Sequence, residues 1–367
     1  MKMNLKNKIV CIVMAVVLFG LSVFAIARPK DEYSDTERRL LSQMPAVTVK
    51  SVMNGTFMTE FEEYTLDQFP LREAFRTLKA LVVKYVFNNS QNNDIYIHDG
   101  YYAAQQYPLN TQSIDHVAKV FNSVCDRYFA EGDYNLYFSV IPDKGYFLQE
   151  QAKQLPLDYE TLVDSLRAQV PQLSYIDIFD TLQLTNFYKT DTHWRQETLT
   201  DCADTLLSAM NAKNDVQYIE KELSVPFYGV YYGQAALPAQ PEQIRYLDAD
   251  LFAEVTVYDH ENRKQIGVYD LQKANGKDPY EFFLSGPLSL ITIENPDAST
   301  DRELFLFRDS FGSSIAPLFI GSYSKITLMD IRYLQSAMLG NFVDFTEGSD
   351  VLFLYSSMIL NDGTTLK

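Results

Sequence analysis

From residue 111 onward the hydrophobic residues switch repeatedly between a helical and a strand period, and that alternation leaves few architectures open. A helix over 113–131 leads into a strand at 134–141, which stops at Pro142-Asp143-Lys144. A helix over 159–170 leads into a strand at 173–179, and a third helix follows over 196–211. Such alternation predicts an α/β fold, a parallel sheet with helices on both faces. The rhythm breaks between about 213 and 300. Short runs at 227–232, 253–258, 265–271 and 288–294 alternate there with turn residues, which reads as a β-rich insertion. It resumes with a strand at 303–307, a turn at Arg308-Asp309-Ser310-Phe311-Gly312, strands at 325–329 and 351–355, and a helical piece near 334–342.

The chain before residue 111 is of another kind. Lys2, Lys6 and Lys8 precede an uncharged apolar run over 9–27, and the sequence turns polar at Arg28-Pro29-Lys30-Asp31-Glu32. A run of about 19 residues at helical rise covers roughly 28 Å, the thickness of a bilayer's hydrocarbon. Lysines ahead of it place the amino terminus inside and everything after it outside. We read 1–28 as an uncleaved single-pass signal-anchor in the cell membrane. Ala25-Ile26-Ala27 also fits a signal-peptidase site, so secretion after cleavage is the alternative, and both readings export the rest. Residues 29–110 form a stalk and a helical segment, in which Phe57, Phe61, Tyr64, Phe69, Leu71, Phe75, Leu78 and Leu81 recur at helical spacing and Pro70 divides two helices. The remaining plan is 111–212 for the first part of the α/β domain, 213–300 for the insertion and 301–367 for the second part.

With 31 basic against 48 acidic residues the net charge is −17, which excludes nucleic acid as a partner and favours neutral glycans or small molecules. Cys11 lies in the apolar run, and Cys125 and Cys202 fall in predicted helices, as free thiols or as a single bridge. The histidines His98, His116, His193 and His260 are scattered, so neither a metal nor another cofactor is expected.

Ligands on open parallel sheets bind beyond the carboxyl ends of the strands. Asp143-Lys144, Asp191/His193, Asp309/Ser310, Arg332-Tyr333 and Ser356-Ser357 all follow predicted strands, so they are expected on one rim. Asp191-Thr192-His193-Trp194 and the serine turn bring an acid, an imidazole and a hydroxyl to it. A serine hydroxyl attacks only when an imidazole takes its proton, and the imidazole needs a carboxylate to fix its tautomer. Ser310 is therefore the candidate nucleophile, His193 the base and Asp191 its orienting partner. The backbone N–H of Ser310 or Phe311 is the expected first oxyanion donor. Lys144, Trp194, Arg332, Tyr333 and Ser356 are the candidates for substrate or further oxyanion contacts. Each has a plainer reading: Ser310 as a helix cap, His193 as a buried bonded side chain, Trp194 as a packing wall, Lys144 in a structural ion pair.

Asp-x-His-Trp, followed much later by Asp-Ser-Phe-Gly, resembles the DHHW proteins and the alginate O-acetyltransferase (AlgJ/AlgX-like) group, whose catalytic domain is SGNH-hydrolase-like. Glu37-Arg38-Arg39-Leu40 and Asp67-Gln68-Phe69-Pro70-Leu71-Arg72 resemble the amino-terminal part of these proteins. In ordinary SGNH hydrolases the serine strand comes first, so the resemblance implies a circularly permuted three-layer α/β/α, flavodoxin-like domain. Residues 303–310 correspond to the first strand, 325–333 to the second, 351–357 to the third, 134–144 to the fourth and 173–179 to the fifth. It further implies a serine O-acetyltransferase, or an acetylesterase, acting on a cell-surface polysaccharide through an acetyl-serine. For a transferase it implies a membrane-bound O-acyltransferase as acetyl donor. Arg308 replaces the glycine of a Gly-Asp-Ser block, Thr192 replaces the first histidine of the DHHW name, and Ser356-Ser357 stand where Gly-x-Asn is usual. That missing element keeps open a non-catalytic glycan-binding or assembly protein of the cell envelope.

Overall fold

The computed structural model describes residues 4–367, so Lys2 lies outside the described residues. The chain divides into two compact units, one of Met1–Asn93 with Tyr232–Pro238 and one of Asp94–Tyr231 with Ala239–Lys367.

The first unit opens with helix α1 (Leu5–Ala27), which is long and apolar enough to cross a membrane, and none of which is buried. Short strands β1 (Tyr33–Ser34) and β2 (Arg39–Leu40) pair antiparallel. Helices α2 (Val49–Met53), α3 (Thr56–Asp67) and α4 (Arg72–Tyr85) follow, then β3 (Gln91–Asn92). α3 and α4 separate at Pro70, as the sequence pattern predicts: a proline lacks the N–H that would continue the helix. The two motifs of this unit meet through charge. Arg39 donates to Asp67 from both terminal nitrogens at 2.8 and 2.5 Å, and Glu37 takes Arg72 at 2.6 Å and Arg76 at 3.0 Å.

In the second unit, after a hairpin of β4 (Ile95–His98) and β5 (Tyr101–Ala104), come α5 (Thr111–Tyr128), β6 (Asn135–Ile141), α6 (Lys144–Leu148), α7 (Tyr159–Gln169), β7 (Ser174–Tyr175) and α8 (Thr200–Ala209). β8 (Ile219–Phe227) then leads to α9 (Val230–Ala235), along which the chain passes from this unit to the other. β9 (Glu242–Asp248), β10 (Thr256–Asp259), β11 (Lys264–Ile266), β12 (Leu290–Glu294), β13 (Glu303–Arg308), α10 (Phe311–Ile315), β14 (Lys325–Met329), β15 (Asp350–Ser356) and α11 (Ser357–Asn361) complete the order.

The main sheet has the strand order β11-β10-β12-β14-β13-β15-β6-β7. Its last five strands are parallel, with Phe305 opposite Thr327 on β14 and Val351 on β15, and Phe353 opposite Phe138 on β6. Numbered by the SGNH correspondence those strands run 2-1-3-4-5, the flavodoxin-like order, whose switch point lies between β13 and β15. Alternate residues serve opposite faces. Leu304, Leu306, Leu352 and Leu354 join Cys202, Leu206 and Phe319 in one core. Phe305, Phe307, Phe353 and Tyr355 join Phe121, Cys125 and Leu162 in the other. The three-layer α/β/α fold follows. Cys125 and Cys202 are free thiols in separate cores, and burial pushes them up to about 11 and about 12, so they are inert.

The β-rich segment does more than interrupt the chain. β10, β11 and β12 extend the main sheet with antiparallel strands, while β8 and β9 pair apart from it. The run 227–232, expected as strand, turns helical from Val230. Backbone contact with Thr190–Asp191 holds it there, with Tyr231 N–H donating to Thr190 C=O at 3.0 Å. The expected strand 173–179 shortens to two paired residues and then tightens into a 3₁₀ turn at Phe179–Thr181.

Candidate active site

Ser310 sits at the start of α10, just past the carboxyl end of β13 and beside the switch point. Its backbone is right-handed helical (φ −63°, ψ −24°), and its side chain makes no capping bond. That excludes the helix-cap reading and leaves the hydroxyl free to turn to His193, whose Nε2 lies 2.8 Å from Ser310 Oγ. On the other side of the ring, Nδ1 lies 2.6 Å from Asp191 Oδ1. An ionised carboxylate only accepts, so Nδ1 carries the proton and Nε2 presents its lone pair to the serine.

Asp191 is fixed by backbone. Its Oδ1 also accepts from His193 N–H at 3.0 Å, and its Oδ2 from Val230 N–H at 2.8 Å. The Val230 contact depends on Gly229, where a Cβ would come within 2.2 Å of Asp191 N and 2.3 Å of Asp191 Cα. Neither residue was suspected from sequence, because a lone glycine in an irregular stretch gives no sign of what lies opposite it.

The imidazole is held by rings. Tyr280 stacks on His193 with centroids 3.9 Å apart and planes 11° from parallel, and Phe311 meets it at 4.9 Å. Tyr280 reaches the site from a 3₁₀ turn, Pro279–Phe282, capped by Asp278. Its hydroxyl donates to Ser314 Oγ at 2.8 Å, which also accepts from Trp194 Nε1 at 2.8 Å and donates to Phe311 C=O at 3.1 Å. Tyr280 was also missed. Only proximity in space connects it with the motifs, and the sequence of this segment is β-like and featureless.

Trp194 is wholly buried and edge-on to Phe311, so it is a packing wall and not a platform for substrate. Lys144 is buried too. Its ammonium donates to the carbonyls of Tyr188 at 2.9 Å, Lys189 at 3.0 Å and Asp191 at 2.6 Å. Those three bonds use all its protons, so it holds the loop carrying Asp191 and has none left for substrate. Burial pulls it down to about 7.

Asp309, fully buried, ties the serine turn to β15: Oδ1 accepts from Phe311 N–H at 3.0 Å and Oδ2 from Ser356 N–H at 2.8 Å. The Phe311 N–H is thereby engaged, which leaves Ser310 N–H as the donor of the expected pair. Ser356 Oγ accepts from Ile359 N–H at 3.4 Å and caps α11, and it is 1% exposed. Arg332 forks onto Asp330 at 2.9 and 2.6 Å, and this pairing holds its guanidinium above the usual range against the opposing effect of burial. Tyr333 is 56% exposed. Arg308, in the place of a small residue, is accommodated because position 312 is glycine: a Cβ there would lie 2.5 Å from Arg308 Cβ. Its guanidinium runs beneath the turn to Leu288 C=O at 3.0 Å and lies 3.6 Å from Asp330.

A permuted SGNH-like α/β/α domain, with an acid, an imidazole and a serine aligned at its switch point, is the class that fold and geometry define. The solved structures similar to the chain agree with it. A DHHW family protein from Eubacterium siraeum matches with a TM-score of 0.60 at 19% identity, over 76% of this chain and 97% of that one. Bacillus cereus PatB1 with a sulfonyl adduct matches at 0.58 and 16%, over 74% and 97%. PatB1 without it matches at 0.56 and 15%, over 72% and 96%. The resemblance to DHHW proteins thus holds for the fold. No family model and no curated protein matches the chain. Among the described residues, no three His, Cys, Asp or Glu side chains gather as metal ligands.

Proposed function

We propose that the protein is an extracytoplasmic serine acyltransferase that moves acetyl groups onto hydroxyls of a cell-surface glycan through an acetyl-Ser310 intermediate. One observation carries the reading: the continuous line Asp191–His193–Ser310, with bonds of 2.6 and 2.8 Å. In this mechanism Ser310 Oγ attacks the acetyl carbonyl as His193 Nε2 takes its proton, and Asp191 stabilises the imidazolium. Ser310 N–H at the head of α10 faces the developing oxyanion. The imidazolium returns its proton to the leaving group; the neutral imidazole then takes the proton of a sugar hydroxyl as its oxygen attacks the acetyl-serine carbonyl, and the proton passes on to Ser310 Oγ as the acetyl–serine bond breaks.

The choice of transfer over hydrolysis rests on the sequence resemblance to O-acetyltransferases. The apolar helix α1 supports a membrane anchor, with a membrane-bound acyltransferase handing over the acetyl group from inside the cell. The test is turnover of p-nitrophenyl acetate by the full chain in detergent, with and without a hydroxylated oligosaccharide as acceptor. Acetyl-sugar formation lost in Ser310→Ala supports the reading. Release of acetate alone makes the protein an esterase, and turnover at the uncatalysed rate returns it to the glycan-binding class.

A further inference from the structure

Away from Ser310, at the free edge of the parallel sheet, a cavity of about 280 Å³ opens where α6, α7 and the turn after β7 meet. Four aromatic rings line it. Tyr146, Tyr159 and Phe179 form a corner of three nearly perpendicular planes, at 83°, 87° and 75° to one another, with centroids 4.8 to 6.3 Å apart. Tyr175 supplies the fourth. Tyr159 is fixed in place by its hydrogen bond to Asp143, the buried carboxylate that follows β6 and that also accepts from Ser357 Oγ at 3.3 Å.

The rim is acidic. Glu160, Asp164, Asp177 and Asp180 border the cavity against a single cation, Arg167. Arg167 lies 3.6 Å from Asp164 and 5.5 Å from the centre of the Tyr175 ring. One cation already rests on this aromatic wall, and three carboxylates beyond that pair give a surplus of negative charge.

We propose that this cavity binds an organic ammonium group. Ring faces and carboxylates both attract a cation, and the two together select its kind. Aromatic walls cannot replace the hydration shell of a small metal ion, whereas an alkylated or sugar-borne ammonium surrenders little hydration and fills the space with C–H groups. Asp177 accepts from Phe179 N–H at 3.0 Å, which leaves Glu160 and Asp180 as the rim charges a neutral sugar would not neutralise, and an anion would be repelled. The cavity lies along the sheet edge, three strands from β13 through β15 and β6 to β7, a span of roughly 15 Å across the sheet. A polymer whose hydroxyl lies at Ser310 would reach this cavity with a unit several residues further along. Its service as an acceptor subsite rests on the function proposed above, and the binding itself does not.

Two sources share this chemistry, a quaternary ammonium substituent and the protonated amine of an amino sugar. Calorimetric titration of the full chain in detergent with tetramethylammonium chloride, glucosamine hydrochloride and N-acetylglucosamine, at matched ionic strength, separates them. Saturable binding is expected for at least one of the two ammonium compounds, and whichever binds more tightly names the source. Tyr146→Leu, which keeps bulk without a ring face, and the surface variant Glu160→Gln/Asp180→Asn should each weaken it about fivefold. Failure of both ammonium compounds to bind, equal binding of N-acetylglucosamine, or unchanged affinity in both variants overturns the proposal. Ammonium binding in a protein without Ser310 turnover would leave it standing while the enzymatic reading fell.

Discussion

Tyr280 lies flat against His193, 3.9 Å between ring centroids, and so sets the plane in which the imidazole can face Ser310. A general base works only from one orientation, and loss of the stacked wall frees the ring to rotate about its side-chain bonds. Tyr280→Ala should lower kcat for p-nitrophenyl acetate about tenfold with KM little changed. Tyr280→Phe keeps the wall, gives up only the bond to Ser314 and should stay near wild type. Equal losses in both would mean that the hydroxyl, not the stacking, matters.

Gly229 lets the backbone of 229–231 approach Asp191, and a Cβ there would overlap main-chain atoms, which cannot swing aside as a side chain can. Gly229→Ala should therefore push Val230 N–H off the carboxylate. We expect a stability loss on the order of 3 kcal/mol and a fall in turnover larger than any fall in the folded fraction. Thermal unfolding and turnover on the same sample measure both, and wild-type values in the two would show that the segment moves freely.

Lys144 gives a pH signature. Burial brings its ammonium to about 7, while Asp191, Glu242 and Asp143 oppose the shift. Its value in an unfolded chain is ~10.4. Between these values the unfolded chain holds a proton that the native protein has released. Stability therefore rises with pH from about 7 to 10, and the cost of burial is greatest below 7. Wild type should gain on Lys144→Met by on the order of 1–2 kcal/mol between pH 7 and 9. Urea unfolding at both pH values tests this, and a stability difference, wild type minus variant, that stays constant or falls as pH rises contradicts it.

In the amino-terminal unit, the hydrogen bond from Arg39 holds the Asp67 carboxyl down at about 2, and Asp67 Oδ2 also accepts from Ser42 N–H at 2.9 Å. A depressed folded value means that the ion pair stabilises fully above about 4 and is lost as pH falls toward 2. Asp67→Asn should speed hydrogen exchange at the Ser42 amide at pH 6, with wild type approaching the variant near pH 2. Equal exchange in the two at pH 6 would show that the pair does not hold this segment.

Much of the candidate site was legible because its acid, imidazole and hydroxyl lie in two short motifs and the strand rhythm places both on one rim. Asp191, His193 and Ser310 come together on the rim where the strand ends place them, and the observed strand order fits the correspondence that the family resemblance implies. What escaped were contacts between segments with no local signal. Tyr280 and Gly229 act only because an irregular stretch folds against the motifs. For Lys144 and Trp194 the sequence leaves both substrate contact and a structural role open, because it shows rim position and not orientation, and each is turned inward to satisfy buried polar groups. The run 227–232 carries β-like residues, yet tertiary backbone contacts with Asp191 outweigh that propensity.

Intact-protein mass spectrometry after rapid mixing with p-nitrophenyl acetate tests the central claim most directly. The account predicts one added acetyl group, mapped to Ser310, that forms in wild type and is missing in Ser310→Ala. In His193→Ala its rate of formation should fall by roughly 10³ or more. An adduct on another residue, or turnover that survives Ser310→Ala, would contradict it.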